Sequence, residues 1–177
     1  MQAVADLSPT TAVIGCGNAN RSDDGIGSFV IGLLRERQLG EEVALFDGGT
    51  DGMGVMYRAR GVSRLIIVDA RVPSGNPGAI YEVPGRALEA QPQQSLNLHD
   101  FRWDHALYAG RQIYRDAFPK DVSVFLIEAE SLALGLDISE RVVEAGRMVA
   151  DRIVDLIGRP ATDHAVASDR AVKAVGP

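Results

Sequence analysis

The sequence predicts an α/β fold: a three-layer sandwich built on a mainly parallel five-stranded sheet with helices on both faces. Two observations carry this. Short apolar runs rich in β-branched residues alternate with longer stretches of helical period, the order expected when strands are joined by crossover helices. The 177 residues and 46% hydrophobic content are enough for the core of one ordinary domain, expected over residues 1–158.

The elements follow in chain order. TAVIG (Thr11 to Gly15) is the first strand, and GCGNANRSDDGIG continues from it into a helix. That helix, Gly25 to Gln38, sets Ile26, Phe29, Val30, Leu33 and Leu34 on one face, with Asp23 placed to cap it. EVALF (Glu42 to Phe46) is the second strand, and a short helix over Gly52 to Arg60 follows with Asp51 as its cap. RLIIVD (Arg64 to Asp69) is the third strand. PSGNPG (Pro73 to Gly78) turns the chain into AIYEV (Ala79 to Val83), an edge or hairpin strand. Gly85 to Leu98 is a long polar connection containing QPQQ, of the kind that often carries function in compact domains. Helical period resumes over Trp103 to Phe118, VSVFLIEA (Val122 to Ala129) is the last strand, and Glu140 to Leu156 is the last helix, with Ser139 as N-cap. The tail, residues 159–177, is polar and rich in small residues, and is expected to be mobile.

Charge and composition remove several classes of function. A net charge of −6 without a run of Lys and Arg argues against a nucleic-acid partner, because a phosphate backbone demands a basic face. No apolar segment approaches a membrane span, and MQAVADLSPT lacks the basic then apolar pattern of a signal peptide, so a soluble cytoplasmic protein is expected. The single Cys16 cannot form an internal disulfide, which fits a reducing compartment.

Three side chains stand at the C-terminal ends of predicted strands or in the loops beyond them: Asp24, Asp69 and His99. In an open α/β sheet those ends converge on one crevice, so residues far apart in sequence can meet there. Two carboxylates and one imidazole suit a transition metal and leave coordination positions open. Each residue also has a structural alternative. Asp24, like Asp23 beside it, can serve as a helix cap. Asp69 follows the apolar run Leu65 to Val68, where an ionised carboxylate needs a partner, either a metal or a salt bridge such as one to Arg71. For the imidazole, His99 in the polar loop is favoured over His105, which lies inside a helical segment and is read as an outer partner or a substrate contact. Asp100 and Asp104 are placed to orient either ring, and His164 in the tail is a poor ligand.

GCGNAN begins a dinucleotide-binding pattern without completing it. Asn20 stands where the third glycine is needed, and Asp23 and Asp24 put negative charge where phosphate needs positive potential.

The succession GCGNANRSDDGIG, FDGGTDGMG, LIIVDA and a His before a helix resembles the maturation endopeptidases of nickel-iron hydrogenases, from about Val13 to about Val154. The resemblance implies a twisted, mainly parallel sheet between helices, of the phosphorylase/hydrolase-like kind. It implies an endopeptidase that removes the C-terminal extension of a hydrogenase large-subunit precursor after nickel insertion. It also implies that Asp24, Asp69 and His99 recognise the nickel, which the precursor supplies. The family position matched by Asp24 is often Glu; Asp has the shorter reach. The DGGT stretch is associated in the family with cleavage and substrate recognition. This makes Asp47 the candidate for activating water or positioning the scissile peptide, with Gly48, Gly49 and Thr50 as substrate contacts. Asp47 can equally fix the glycine turn by bonding to its backbone. Cys16, between two glycines after a buried strand, is rejected as nucleophile because buried thiols are usually inert. Two other functions stay open: a metal-sensing assembly chaperone of the same fold that docks without cutting, and a nucleotide-binding enzyme using the glycine-rich loop.

Overall fold

The computed structural model describes residues 9–89, 102–159 and 174–175. In chain order the elements are β1 (Thr11–Cys16), α1 (Ile26–Arg35), β2 (Val43–Gly49), α2 (Gly52–Ala59), β3 (Arg64–Arg71), β4 (Ile80–Pro84), α3 (Trp103–Tyr114), β5 (Asp121–Glu128), α4 (Glu140–Ile157) and β6 (Ala174–Val175). The strand order is β2-β1-β3-β5-β4-β6. The first four of these run parallel, and β4 is antiparallel to both β5 and β6. This is the mainly parallel α/β sheet that the alternation of patterns predicts. β4 forms no hairpin with β3; the chain steps over the position of β5, and β6, inside the segment read as a tail, pairs along its other side.

The central strands are apolar without interruption because both of their faces are covered. Alternate side chains of a strand point to opposite faces. Val13, Ile66 and Val68 accordingly join α1 and α4 in one core, through Ile26, Val30, Leu34, Val142, Val149 and Ile153. Ala12, Ile14, Leu65 and Ile67 join α2 and α3 in the other, through Val55, Met56, Trp103 and Leu107. Continuing the same parity past the apolar run assigns Cys16 and Asp69 to the α2/α3 face.

The two ends of the sheet differ in character. At the N-terminal ends of β3 and β5, Arg64 and Asp121 are register partners and form a buried ion pair at 2.8 Å. Arg64 Nη1 also donates to the carbonyls of Leu156 and Arg159, so its charge meets the negative end of the α4 dipole. That end is structural. At the other end the strands run out into the loops that carry the acidic and glycine-rich motifs.

One of those loops is pinned by a buried carboxylate. Glu128, closing β5, accepts the N–H and hydroxyl of Ser74 at 2.7 Å each, the Asn76 N–H at 2.7 Å and the Tyr81 hydroxyl at 3.1 Å. The Ser74 hydroxyl first, and then the Asn76, Ser74 N–H and Tyr81 donors, hold its carboxyl down to about 2 against the opposing effect of burial. A pKa lower in the folded than in the unfolded chain adds stability above the unfolded value, and that stability is lost as pH falls. Thermal stability should therefore drop between pH about 4.5 and about 2, and Glu128→Gln should flatten that part of the profile. A melting-temperature series against pH for the two proteins checks this; parallel profiles would sink it.

Candidate active site

The chain leaves β1 through α1 to β2 on one side and returns through α2 to β3 on the other, so the strand order reverses between β1 and β3. In open α/β sheets ligands bind in the crevice at that reversal, beyond the carboxyl ends of the strands. A cavity lies there, lined by Cys16, Gly17, Asp24, Gly49, Thr50, Asp51, Gly52, Val55, Asp69, Arg102 and Trp103.

Gly17 begins the loop beyond β1 at φ +115°, a backbone state that side chains rarely adopt. A Cβ on it would run into the Asp24 carbonyl and come within 3.4 Å of Asp69 Oδ1. The β1/β3 ladder already brings the two strand ends together, and only a glycine lets the loop then pass between Asp24 and Asp69.

Asp69 is 3% exposed and lies on the α2/α3 face, as strand parity requires. Its Oδ2 accepts the indole N–H of Trp103 at 2.6 Å and Nη2 of Arg102 at 2.9 Å, and its Oδ1 accepts the Ala70 N–H at 2.9 Å. Burial raises its pKa, against the Arg102 charge and these donors. The salt bridge read from sequence to Arg71 is not made. Residues 69 and 71 share a face, but Arg71 stacks on Tyr81 at 4.3 Å and approaches Glu128 at 3.8 Å, and the guanidinium at Asp69 is that of Arg102.

The adjacent acids Asp23 and Asp24 have separate tasks, and neither caps α1, whose N-cap position is Gly25 with no side-chain hydrogen bond. Asp23 is fully buried and accepts the N–H groups of Glu130, Ser131 and Ser139 and the Ser139 hydroxyl. It ties the loop after β5 to the loop after β1. Ser139 in consequence precedes α4 without a side-chain capping bond, because its hydroxyl is turned to Asp23. Asp24 lines the cavity, with Oδ2 accepting the Asn18 N–H at 2.8 Å. A short 3-10 turn, Ser22–Gly25, precedes α1 and separates the two carboxylates.

In FDGGTDG, β2 and β1 pair with a bulge: Gly15 faces Asp47 and Cys16 faces Gly49, which leaves Gly48 as the extra residue. Asp47 is exposed, and its Oδ1 accepts the Ser28 hydroxyl at 2.8 Å and the Gly49 N–H at 3.3 Å. It lies outside the cavity lining and holds the glycine turn, while Gly49 and Thr50 reach the cavity. Gly48 packs under the turn, where a Cβ would come within 2.9 Å of Ile14. Asp51 caps α2 by accepting the Gly54 N–H at 2.8 Å, as the sequence predicts.

His105 is half-buried, sits outside the cavity lining, and has Nδ1 3.1 Å from Asp104 Oδ1. His99 and Asp100 lie outside the described residues, and among the described residues no cluster of three His, Cys, Asp or Glu side chains is set to hold a metal. Cys16 lines the cavity, but burial first, and then the charge of Asp69, push its thiol far above the ordinary range. A thiol that stays protonated is no nucleophile. Cys16→Ser should thus keep activity within about threefold of the parent under a peptidase assay, far from the loss of about 10⁴-fold or more expected for a removed nucleophile.

Arg102 and Trp103 are the cavity residues that sequence reasoning overlooks. Both adjoin the start of α3, shortly after His99 in sequence, and one is the only tryptophan of the chain. Nearness in sequence to His99 was the available signal.

The hydrogenase maturation protease family profile matches residues 29–156. The chain is 30% identical over 122 residues to the hydrogenase 2 maturation protease of Escherichia coli, covering 68% of this chain and 73% of that protein. It is 34% identical over 121 residues to the hydrogenase expression/formation protein HoxM of Cupriavidus necator, covering 67% of this chain and 59% of HoxM. The match to that relative thus spans less than two thirds of its length. The fold is similar to that of the hydrogenase maturating endopeptidase HybD from Escherichia coli, with a TM-score of 0.70 at 24% identity over 83% of this chain and 91% of that one.

Proposed function

Since the chain belongs to the hydrogenase maturation protease family, we propose that it is an endopeptidase that removes the C-terminal extension of a nickel-iron hydrogenase large-subunit precursor after nickel insertion. The observation that supports this most directly is the placement of Asp24 and Asp69, 45 positions apart in sequence, on the lining of one cavity at the sheet's reversal point. The nickel belongs to the precursor and is part of the substrate. Asp24 and Asp69, with His99 as third ligand, meet it when the precursor docks; two carboxylates and an imidazole are a donor set that suits Ni²⁺. Trp103 and the Ala70 N–H orient the Asp69 carboxylate, the task of outer partners around a metal ligand. Gly49 and Thr50 border the same cavity and offer backbone to the extended peptide, and Asp47 positions that turn through its bond to the Gly49 N–H. His105 contributes at the margin of the docked substrate.

The test is incubation of the purified protein with its cognate precursor, nickel-loaded and nickel-free, followed by mass spectrometry of the precursor. Loss of a C-terminal peptide from the nickel-loaded form alone is expected. An unchanged mass accompanied by a stable complex would overturn the peptidase and leave a metal-sensing chaperone.

A further inference from the structure

Of the described side chains lining the cavity, Asp24, Asp51 and Asp69 are acidic and Arg102 is the single cation. Asp51 is committed to capping α2, so Arg102 faces two carboxylates that share one space. Its Nη2 lies 2.9 Å from Asp69 Oδ2, and 59% of its side chain is open to solvent. The guanidinium is therefore anchored by one nitrogen while more than half of the side chain faces solvent. Burial works against its charge, but Asp69 first, then Asp104 and Asp24, more than offset this and hold it above its ordinary value. A guanidinium does not shed its proton at any physiological pH, so it leaves Asp69 only by moving away.

We propose that Arg102 is a cationic placeholder: it occupies Asp69 in the resting protein, keeps free divalent cations from settling between Asp24 and Asp69, and is displaced when the precursor presents its nickel. This rests on the reading of the two aspartates as nickel ligands and adds a specificity device to it. A bare carboxylate pair attracts any divalent ion in the cell, and a protease whose probe is already filled cannot sense the metal of its substrate. With the guanidinium in place, an incoming free ion meets a site carrying one negative charge fewer and must also break a charge-assisted hydrogen bond. A metal held within the precursor arrives with the whole docking surface behind it, and that binding energy drives the exchange. With more than half of the Arg102 side chain already in solvent, the swing gives up little packing.

The effect on free-ion affinity has a natural scale. Even at the dielectric of water, a unit charge about 6 Å from a divalent ion alters its affinity about tenfold.

The experiment is calorimetric titration of Ni²⁺ into the full-length protein and three variants. Arg102→Gln should bind Ni²⁺ at least about tenfold tighter than the parent, Arg102→Lys should stay close to the parent because it keeps the charge, and the gain should vanish in Arg102→Gln/Asp69→Asn. Thermal unfolding of each variant verifies the fold, which a mostly exposed side chain leaves intact. Equal affinity of Arg102→Gln and the parent, or a gain that persists without the Asp69 charge, would overturn the placeholder. Cleavage of the nickel-loaded precursor is scored beside it. Cleavage with no change in nickel affinity refutes the role of Arg102 and leaves the peptidase standing. Tighter nickel binding with no cleavage by the parent supports that role and removes the peptidase.

Discussion

Asp69→Asn is expected to stop cleavage of the nickel-loaded precursor while leaving the stability of the fold close to that of the parent. Losing a residue that merely orients a metal ligand costs roughly 10–100-fold, so losing the ligand itself should cost about 100-fold or more. The stability half of the prediction has a different origin. Asp69 is 3% exposed, and burial raises its pKa despite Arg102, Trp103 and the Ala70 N–H, so the folded protein holds this charge at a cost. The sign follows from linkage: for an acid whose pKa is higher in the folded chain, stability falls as pH rises from the unfolded value through the raised one. Asparagine removes that penalty. It keeps an oxygen for the indole N–H, gives up the bond from the Ala70 N–H, to which it turns its own NH2, and frees Arg102, which is mostly solvent-exposed, so no buried cation is stranded. The check pairs precursor cleavage with melting temperature at neutral pH. Retained cleavage would remove Asp69 from the site; a large fall in melting temperature would show that the carboxylate is chiefly structural. A functional residue kept at the expense of stability is the expected pattern at an active site.

Gly27→Ala should be strongly destabilising for a single added methyl group. A Cβ there would lie 2.6 Å from the Cys16 amide nitrogen and 2.8 Å from the Val68 carbonyl oxygen, and would also strike the Cys16 carbonyl. All three are backbone atoms of β1 and β3, so no side chain can yield and α1 must lift off the sheet. Gly15 opposes it from the strand side, where a Cβ would come within 2.5 Å of the Gly27 carbonyl carbon. Overpacking of this kind costs about 3 kcal/mol or more, and in a chain of this size that lowers the melting temperature by roughly 6–12 °C. The loop carrying Asp24 bridges β1 and α1, so activity should fall with it. Gly32→Ala, one and a half turns further along the same helix, is the internal control. Its Cβ meets nothing within 4 Å, and the better helix former should add up to about 1 kcal/mol. Similar melting temperatures for the two variants, compared by circular dichroism, would show that the close approach of α1 to the sheet is not what secures this end of the fold.

Much of the architecture was legible because it rests on local patterning. The uninterrupted apolar character of Leu65 to Val68 marks a strand buried on both faces, and the 3.6-residue spacing of Ile26, Val30 and Leu34 marks a helix lying against it. Asp51 was legible as a cap because capping is settled within four residues. Asp23 was misread for the opposite reason. It has the sequence position of a cap, but its carboxylate accepts from residues more than 100 positions away, at the start of the loop after β5 and at Ser139. The order of β4 and β5 was likewise hidden, since nothing in AIYEV says which strand it will pair with.

Strand-and-helix alternation and the motifs at the strand ends could be read directly from the sequence, and the resemblance of those motifs to a known family implied Asp24, Asp69 and His99 as a set. The alternation and the turns follow from hydrophobic period and turn chemistry, which act over a few residues; the set rests on the resemblance. Three features emerge only on folding: Gly17 lets the loop pass between Asp24 and Asp69 at one cavity, Asp47 serves the glycine turn, and Arg102 and not Arg71 answers the Asp69 charge. Each of these depends on which buried polar group finds which partner across the fold. A carboxylate's need for a donor can be read from its surroundings in sequence, but the donor's identity is set by packing of elements that meet only once the chain has folded.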